Sequence, residues 1–240
     1  MLMIAENNVL HREFAASIAR DLWGTPLEIL EVDNGKAALV IANSGQIDRA
    51  ILDLQLPECN GVEIARELWR TVPTAQIVFW SNYADEAYIR SLSRVVPASA
   101  RYGYVLKSAP QATLRAALET VFLRDRRAID QEVRQVQSRV SSRLAGLSDT
   151  EYEGLVDIAL GLTDQMIAVR RGLTVRGVQN RLRHVYEKLD VSTVGAKPTV
   201  SAKFNSRTRA ITCALERGLI NHAVLSQEQQ KLDDWLAAQA

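Results

Sequence analysis

Residues 51–61 read ILDLQLPECNG, and this stretch decides how the first half of the chain folds. Asp53 follows a short apolar run, and a helix-patterned segment begins just after Gly61. A short apolar run of this kind predicts a buried strand. A carboxylate at the carboxyl end of a central parallel strand faces the crevice where such sheets bind ligands. The stretch therefore predicts a strand, an acidic loop and a helix in that order.

Short apolar runs alternate with amphipathic stretches on both sides of this segment. The predicted strands are residues 2–5, 27–32, 50–54, 77–80 and 104–106, and the predicted helices are residues 10–22, 36–42, 62–68, 84–92 and 112–123. Strands that alternate with helices indicate a parallel sheet covered by helices on both faces.

Polar side chains follow the predicted strands where each one ends. Glu6 and Asn7 follow the first, Asp53 the third, Ser81 the fourth and Lys107 the fifth. This set suits phosphoryl transfer to Asp53. Carboxylate oxygens would hold Mg²⁺, while a hydroxyl and an ammonium would stabilise the phosphoryl oxygens.

Residues 1–123 resemble a response-regulator receiver domain in the motifs IAENN, ILDLQLPECNG, IVFWSN and GYVLK. The resemblance implies a flavodoxin-like, doubly wound (βα)5 fold and makes Asp53 the phosphoryl acceptor. It implies a pocket of Glu6, Asn7, Ser81, Lys107 and the switch aromatic Tyr104, with Mg²⁺ held by Glu6, Asp53 and the backbone carbonyl of Gln55. A sensor histidine kinase is the partner that this resemblance implies.

Two features of the first half depart from the receiver pattern. Asn7 stands where a direct carboxylate ligand is usual, which lowers the expected Mg²⁺ affinity. Residues 90–103 form a longer segment than the family pattern has. Two modes of control therefore stay open: phosphorylation of Asp53, or dimerisation and partner or ligand binding without it.

The second half carries a helix-turn-helix pattern. Ser148 and Glu151 form a capping box, and Gly161 ends the first helix. Thr163 begins a short helix, and Gly172 provides the turn. Thr174 begins a longer helix whose inward positions are Val178, Leu182, Val185 and Leu189. A short helix, a glycine turn and a second helix with a polar outer face make a helix-turn-helix.

The second of these helices presents polar residues that suit DNA. They are Arg176, Gln179, Asn180, Arg181, Arg183 and His184. Residues 161–191 and 209–220 resemble the LuxR/NarL-type helix-turn-helix. That resemblance implies a four-helix domain that binds double-stranded DNA as a homodimer. It implies Gln179, Asn180 and Arg183 near base edges, with Arg181 and Lys188 nearer phosphate.

The predicted domains are a receiver-like domain at 1–123, a helical linker at 124–146, a LuxR-type domain at 147–220 and an extension at 221–240. In the linker, Ile129, Val133, Val136, Val140 and Leu144 recur at spacings close to a coiled-coil seam. That helix either pairs with a second copy or packs on its own chain. Residues 192–207 lengthen a usually short connection. With Lys197, Lys203 and Arg207, they form either a loop that contacts the DNA backbone or a plain insertion.

Composition narrows the class of protein. The 240 residues are 47% hydrophobic and 24% charged, which is ordinary for a globular chain. Net charge is −3 over residues 1–108, +3 over 109–146, +3 over 147–221 and −2 beyond, so the basic segments are central. No apolar run is long enough to span a bilayer, and no Ser/His or Cys/His arrangement indicates an enzyme. We expect a cytoplasmic, non-enzymatic regulator with no membrane partner.

Overall fold

The computed structural model describes residues 1–23, 27–141, 146–191 and 205–239. The chain divides into two compact units. The first contains Met1–Ala84 and Tyr88–Gln135, and the second contains Asp85–Ala87 and Val136–Ala240.

The first unit contains a six-stranded sheet in which every recorded pair is parallel. Its strands are β1 (Leu2–Ala5), β2 (Ile29–Val32), β3 (Arg49–Leu52), β4 (Gln76–Ser81), β5 (Tyr102–Leu106) and β6 (Ala128–Ile129). The order is β2-β1-β3-β4-β5-β6. The first five strands have the flavodoxin-like order, so the predicted fold class of this unit is confirmed.

Helices cover the two faces of this sheet. They are α1 (Val9–Trp23), α2 (Gly35–Ala42), α3 (Gly61–Thr71), α4 (Glu86–Val95) and α5 (Gln111–Leu118), and a π-helical turn at Glu119–Leu123 continues α5. Small residues of α1, such as Ala15 and Ala19, let that helix approach the sheet closely. With Leu114 and Leu118 of α5 they form one buried apolar cluster on the sheet.

The sixth strand lies where the sequence predicted a helix. A helix was expected from Arg124 onward, but Ala128 and Ile129 pair with Gly103 and Tyr104 of β5. The reason is tertiary, because an unpaired strand edge satisfies its backbone groups by adding a strand. The helix α6 (Gln131–Ser141) begins only after Asp130, whose carboxylate accepts the Glu132 N–H at 3.0 Å.

The predicted seam of the linker is therefore divided. Ile129 lies in β6, and Leu144 lies outside the described residues. Val133 and Val136 of α6 are buried within the single chain. Their burial favours the alternative in which this helix packs on its own chain.

The long segment before β5 is anchored by one arginine. Arg127 donates through Nε to the Ala100 carbonyl at 3.0 Å and through Nη2 to the Ala98 carbonyl at 2.9 Å. Its guanidinium also lies 5.4 Å from the centre of the Tyr102 ring. The segment is thus tied to the residue that precedes β6.

The second unit consists of helices. They are α7 (Asp149–Ala159), α8 (Asp164–Arg171), α9 (Val175–Lys188), α10 (Ser206–Glu216) and α11 (His222–Ala237). Ser148, Thr163 and Thr174 cap α7, α8 and α9 as predicted, and Gly172 takes the left-handed conformation at φ 63° between α8 and α9. The helix-turn-helix is therefore confirmed as a structural element.

The predicted DNA-contacting loop at 192–207 is only partly described. Lys197 and Lys203 lie outside the described residues. Arg207 was assigned to the wrong kind of element, because Asn205 caps α10 and Arg207 lies in its first turn. Its guanidinium lies 2.8 Å from the Asp164 carboxylate of α8 and also donates to the Leu162 carbonyl. These contacts join α10 to the start of α8.

Helix α11 extends the helical core of the second unit. Leu232 is buried in that core, and Leu225 and Trp235 pack against it. Arg170 of α8 lies between Asp157 of α7 at 2.9 Å and Glu228 of α11 at 3.6 Å. The segment beyond residue 220 therefore packs on the same core as the helix-turn-helix.

Within the described residues, each helix is too short or too polar to cross a membrane.

The packing of α11 predicts how leucine truncations affect the second unit. Leu232→Ala leaves a cavity in the core and should destabilise this unit by about 2–5 kcal/mol. Leu236 is 42% exposed, so Leu236→Ala is the matched control and should change stability by about 0.5 kcal/mol or less. Native-state hydrogen exchange of α7 and α9 measures both effects. Equal protection in the two variants would contradict the packing role of α11.

Candidate functional site

The register of the sheet brings the predicted acidic residues together. Ala5 of β1 pairs with Leu52 of β3. Glu6 and Asp53, the next residue in each strand's direction, therefore lie at the same level of the sheet. Ser81 pairs with Leu106 at the ends of β4 and β5, and Lys107 follows directly. Because all these strands are parallel, the four side chains share one edge of the sheet.

A buried ion triad forms the centre of this pocket. The Lys107 ammonium lies 2.8 Å from Asp53 Oδ2 and 2.6 Å from Glu6 Oε2. The three side chains are 6% exposed or less. The contact with Asp53 is an aligned hydrogen bond, whereas the contact with Glu6 is ionic. Buried charges need a partner of opposite charge. Here one ammonium partly balances the charge of two buried carboxylates.

The other oxygens of these carboxylates accept backbone hydrogen bonds. Glu6 Oε1 accepts the Asn8 N–H at 3.0 Å, and Asp53 Oδ1 accepts the Gln55 N–H at 3.2 Å. All four carboxylate oxygens are thus in contact with a donor or a cation. Such contacts fix the direction in which both carboxylates point.

The loop after Asp53 is held by a glycine. A Cβ atom at Gly61 would lie 2.2 Å from the Asp53 carbonyl oxygen, so no larger residue fits there. The Gly61 N–H donates to the Leu54 carbonyl at 3.2 Å. In the stretch ILDLQLPECNG, β3 ends just before Asp53. Gly61 then lets the start of α3 pack closely against the backbone of Asp53.

A chain of hydrogen bonds leads from Ser81 to the predicted switch aromatic. Ser81 Oγ accepts the Tyr83 N–H at 3.4 Å, and the Tyr83 carbonyl accepts the Tyr104 hydroxyl at 2.7 Å. Ser81 and Tyr104 are both fully buried. The Tyr83 backbone therefore links the Ser81 hydroxyl to the Tyr104 hydroxyl.

The predicted metal ligands meet only in part. Glu6 and Asp53 converge, and Gln55 follows in the same loop, but Asn7 is exposed and supplies no negative charge. Within residues 1–23, 27–141, 146–191 and 205–239, no three His, Cys, Asp or Glu side chains form a metal-ligand group. Mg²⁺ takes oxygen ligands at about 2.0–2.1 Å in a strict octahedron. The donor set fits Mg²⁺ poorly, since both carboxylates already contact Lys107.

Two pocket neighbours were not predicted from the sequence. The Trp80 ring lies 5.5 Å from the Lys107 ammonium, and the His11 ring lies 5.3 Å from the Trp80 ring. His11 Nδ1 is 3.8 Å from Glu6 Oε1. Trp80 looked like a strand core residue and His11 like a helix surface residue, so only the tertiary structure identifies them.

Helix α9 carries most of its predicted polar residues on one exposed surface. Arg176, Gln179, Asn180, Arg183 and His184 are exposed, while Val178, Leu182 and Val185 are buried. Arg183 makes only a loose contact with Glu187 at 3.9 Å. Their side chains are therefore available to a ligand of the second unit.

The remaining two predicted residues of α9 are partly engaged within the unit. Arg181 is half-buried, and a Cβ atom at Gly154 of α7 would lie 3.3 Å from its Cδ. Lys188 donates to Glu151 Oε2 at 2.8 Å and to the Gly146 carbonyl at 2.9 Å. A phosphate contact by Lys188 requires this pairing to open, so it stays a prediction.

A buried ion cluster supports the helix-turn-helix. Asp157 of α7 is fully buried and accepts hydrogen bonds from Arg170 and Arg171 of α8 at 2.9–3.0 Å. Burial opposes the charge of Arg171, but its hydrogen bonds to Asp157 together with the negative charges of Asp157, Glu153 and Glu228 outweigh burial and raise the pKa of the guanidinium. The cluster fixes α8 on α7 and was not predicted, although the RR pair at the end of α8 was a visible signal.

Comparisons with known proteins agree with this geometry. The family model of the response regulator receiver domain matches residues 2–119. The DNA-binding transcriptional activator DevR/DosR of Mycobacterium tuberculosis is 30% identical over 179 residues, covering 70% of this chain and 80% of that protein. The transcriptional regulatory protein YdfI of Bacillus subtilis is 27% identical over 197 residues, covering 79% of this chain and 84% of that protein.

Solved structures share the fold at lower identity. A structure of the RcsB–DNA complex has a TM-score of 0.55 and 18% identity, covering 88% of this chain and 97% of that chain. RcsB of Salmonella typhimurium has a TM-score of 0.51 and 17% identity, covering 84% and 96%.

The first unit is therefore a receiver domain. The chain as a whole belongs to the response-regulator family, in the NarL/LuxR type that joins a receiver domain to a helix-turn-helix domain.

The pair between Glu151 and Lys188 predicts a pH dependence of stability. Burial opposes the charge of Glu151, but hydrogen bonds from Lys188 and Ser148 outweigh it and lower the pKa of this carboxyl. Because the folded-state pKa lies below the unfolded value, the stabilisation is present above about pH 4.5 and is lost as pH falls through the folded pKa.

Glu151→Gln should therefore lower the stability of the second unit by about 1 kcal/mol at neutral pH and make its acid-side loss of stability shallower. Urea unfolding monitored at several pH values measures both quantities. Glu153→Gln is the control, because its pair with Arg171 is more exposed and should contribute little. If Glu151→Gln lost as much stability on acidification as wild type, the stabilising role of the Glu151 carboxylate would be contradicted.

Proposed function

We propose that this chain regulates transcription by binding double-stranded DNA through helix α9, and that it does so as a homodimer. The observation that carries the proposal is the exposed polar surface of α9 in a capped helix-turn-helix. Helix-turn-helix proteins place the second helix in the major groove and read bases from its N-terminal part. Two copies would read two half-sites one helical turn apart.

Each residue of that surface has a contact that its chemistry favours. Gln179 and Asn180 carry amides that pair with the N6 and N7 edge of adenine, and Arg183 can bind guanine O6 and N7. Arg176 near the helix start and the half-buried Arg181 suit contacts with phosphate. Such contacts fix the position of the protein on the DNA and do not read the base sequence directly. A relative of this chain, DevR/DosR, is described as a DNA-binding transcriptional activator, which supports the same function here.

The regulatory input is proposed to be the receiver pocket at Asp53. Its buried carboxylate, the Lys107 ammonium and the Ser81 hydroxyl are the groups that accept and stabilise a phosphoryl group. The hydrogen-bond chain from Ser81 to Tyr104 would carry a change in the pocket to the β5 region. A sensor histidine kinase would supply the phosphoryl group.

A second mode of control is favoured by a specific observation. Asn7 is exposed and uncharged, and both pocket carboxylates already contact Lys107. In this mode the receiver domain acts through dimerisation or partner binding, with Asp53 unmodified. In both modes the chain is a regulator that works in the cytoplasm, and not an enzyme.

Substitutions on α9 test the DNA-binding proposal. Arg183→Ala should weaken specific binding about 10-fold or more, and Gln179→Ala should cost about 1–3 kcal/mol and relax the preference at one base. Arg217→Ala removes an exposed positive charge outside α9 and is the control. Selection of bound genomic fragments and titration at several salt concentrations measure these effects. Equal losses in Arg183→Ala and Arg217→Ala would point to nonspecific charge alone.

A small acyl phosphate separates the two modes of control. Wild-type protein is incubated with the phosphodonor, with and without Mg²⁺, and its intact mass is measured. A stoichiometric phosphate adduct that is lost in Asp53→Asn supports phosphorylation at this residue. Absence of the adduct, with DNA binding unaffected by the donor, supports control without phosphorylation. The oligomeric mass of each sample shows which form is the dimer.

A further inference from the structure

We infer that the receiver pocket holds no resident divalent cation, because the Lys107 ammonium is the cation that balances Glu6 and Asp53. The inference rests on the proposed role of this pocket as the input site of the receiver domain. It concerns the regulation of that site and is independent of whether α9 binds DNA.

The first step is the geometry of the ammonium. Lys107 Nζ lies 2.6 Å from Glu6 and 2.8 Å from Asp53, so it occupies the space between the two carboxylates. The Trp80 ring lies 5.5 Å from the same nitrogen and favours a cation there. A divalent ion that uses both carboxylates would have to displace this ammonium.

The second step is the charge of the pocket. Glu6 and Asp53 contribute two negative charges, and Lys107 returns one positive charge within hydrogen-bond distance. Arg12 also approaches, since its Nη1 donates to the Glu6 carbonyl oxygen at 2.7 Å. Asn7, the next residue of the same loop, adds no charge. This pocket therefore attracts a hard cation less strongly than it would with a third carboxylate at position 7.

The third step is the set of oxygens that remain. Glu6 Oε1 and Asp53 Oδ1 accept the backbone N–H groups of Asn8 and Gln55. Glu6 Oε2 lacks an aligned hydrogen-bond donor and is the oxygen best suited to a cation, yet the ammonium already lies beside it. Mg²⁺ dehydrates reluctantly and needs near-ideal octahedral geometry, which this arrangement does not offer.

Mg²⁺ alone is the probe for the test. Full-length protein is titrated with MgCl₂ at constant ionic strength, and tryptophan emission is followed because Trp80 neighbours the ammonium. Trp80→Phe identifies the part of the signal that this ring contributes. Wild-type protein should show no saturable change across the millimolar range.

Asn7→Asp and Asn8→Asp form a matched pair that adds the same charge at adjacent positions. Asp is as good a helix cap as Asn, so Asn8→Asp keeps the cap of the His11 N–H and should behave like wild type. Asn7→Asp should bind Mg²⁺ about 10-fold more tightly or better, because it restores a carboxylate beside the other two. Equal thermal stability without Mg²⁺ shows that all variants fold.

Lys107→Gln tests the role of the ammonium itself. Its removal leaves two buried carboxylates without their cation, so Mg²⁺ affinity should rise above that of wild type. Saturable Mg²⁺ binding by wild type within the millimolar range would overturn the inference. So would the absence of any gain in Asn7→Asp or in Lys107→Gln. DNA binding by the same samples reports separately on the function of α9.

Discussion

The parallel register of β1, β3, β4 and β5 is the constraint on which the receiver pocket depends. Neighbouring strands lie about 4.8 Å apart, so Lys107 begins about 10 Å from Asp53 and about 14 Å from Glu6 across the sheet. Only a long side chain closes these distances. A lysine on β5 and a glutamate on β1 both have the reach, and their contacts of 2.6 and 2.8 Å show that they use it. The ion triad is therefore a consequence of strand order combined with side-chain length.

Much of the fold follows from patterns that depend on local chemistry. Alternating apolar and amphipathic segments predict the five central strands because such runs have few other ways to be buried. The capping residues Ser148, Thr163 and Thr174 predict helix starts because their oxygens satisfy N–H groups within the same turn. In both cases the partners are close in sequence, or their pairing is fixed by topology.

The features that the sequence missed depend on partners distant in sequence. Residues 128–129 became a strand because β5 has an edge that needs pairing, and a helical spacing carries no information about that edge. Arg207 is positively charged in either setting, but its placement beside Asp164 depends on how α10 meets α8. Lys188 likewise fits a phosphate contact until the position of Glu151 is known. Charge alone does not distinguish an intramolecular ion pair from a ligand contact.

Each unit buries one charged group between two groups of the opposite charge, and the signs are reversed between the two units. In the receiver domain one ammonium lies between two carboxylates, and in the helical domain one carboxylate lies between two guanidinium groups. Each central group is almost fully buried, so removing it would leave two like charges in a poorly hydrated place. Asp157 has a fixed structural task, because it joins α7 to α8. The central group of the receiver triad is different in kind, because a lysine at a ligand-binding sheet edge stands where an exchangeable cation would otherwise be required. The exposed amide of Asn7 is consistent with that difference, since a pocket with its own cation has no need of a further acid to attract one.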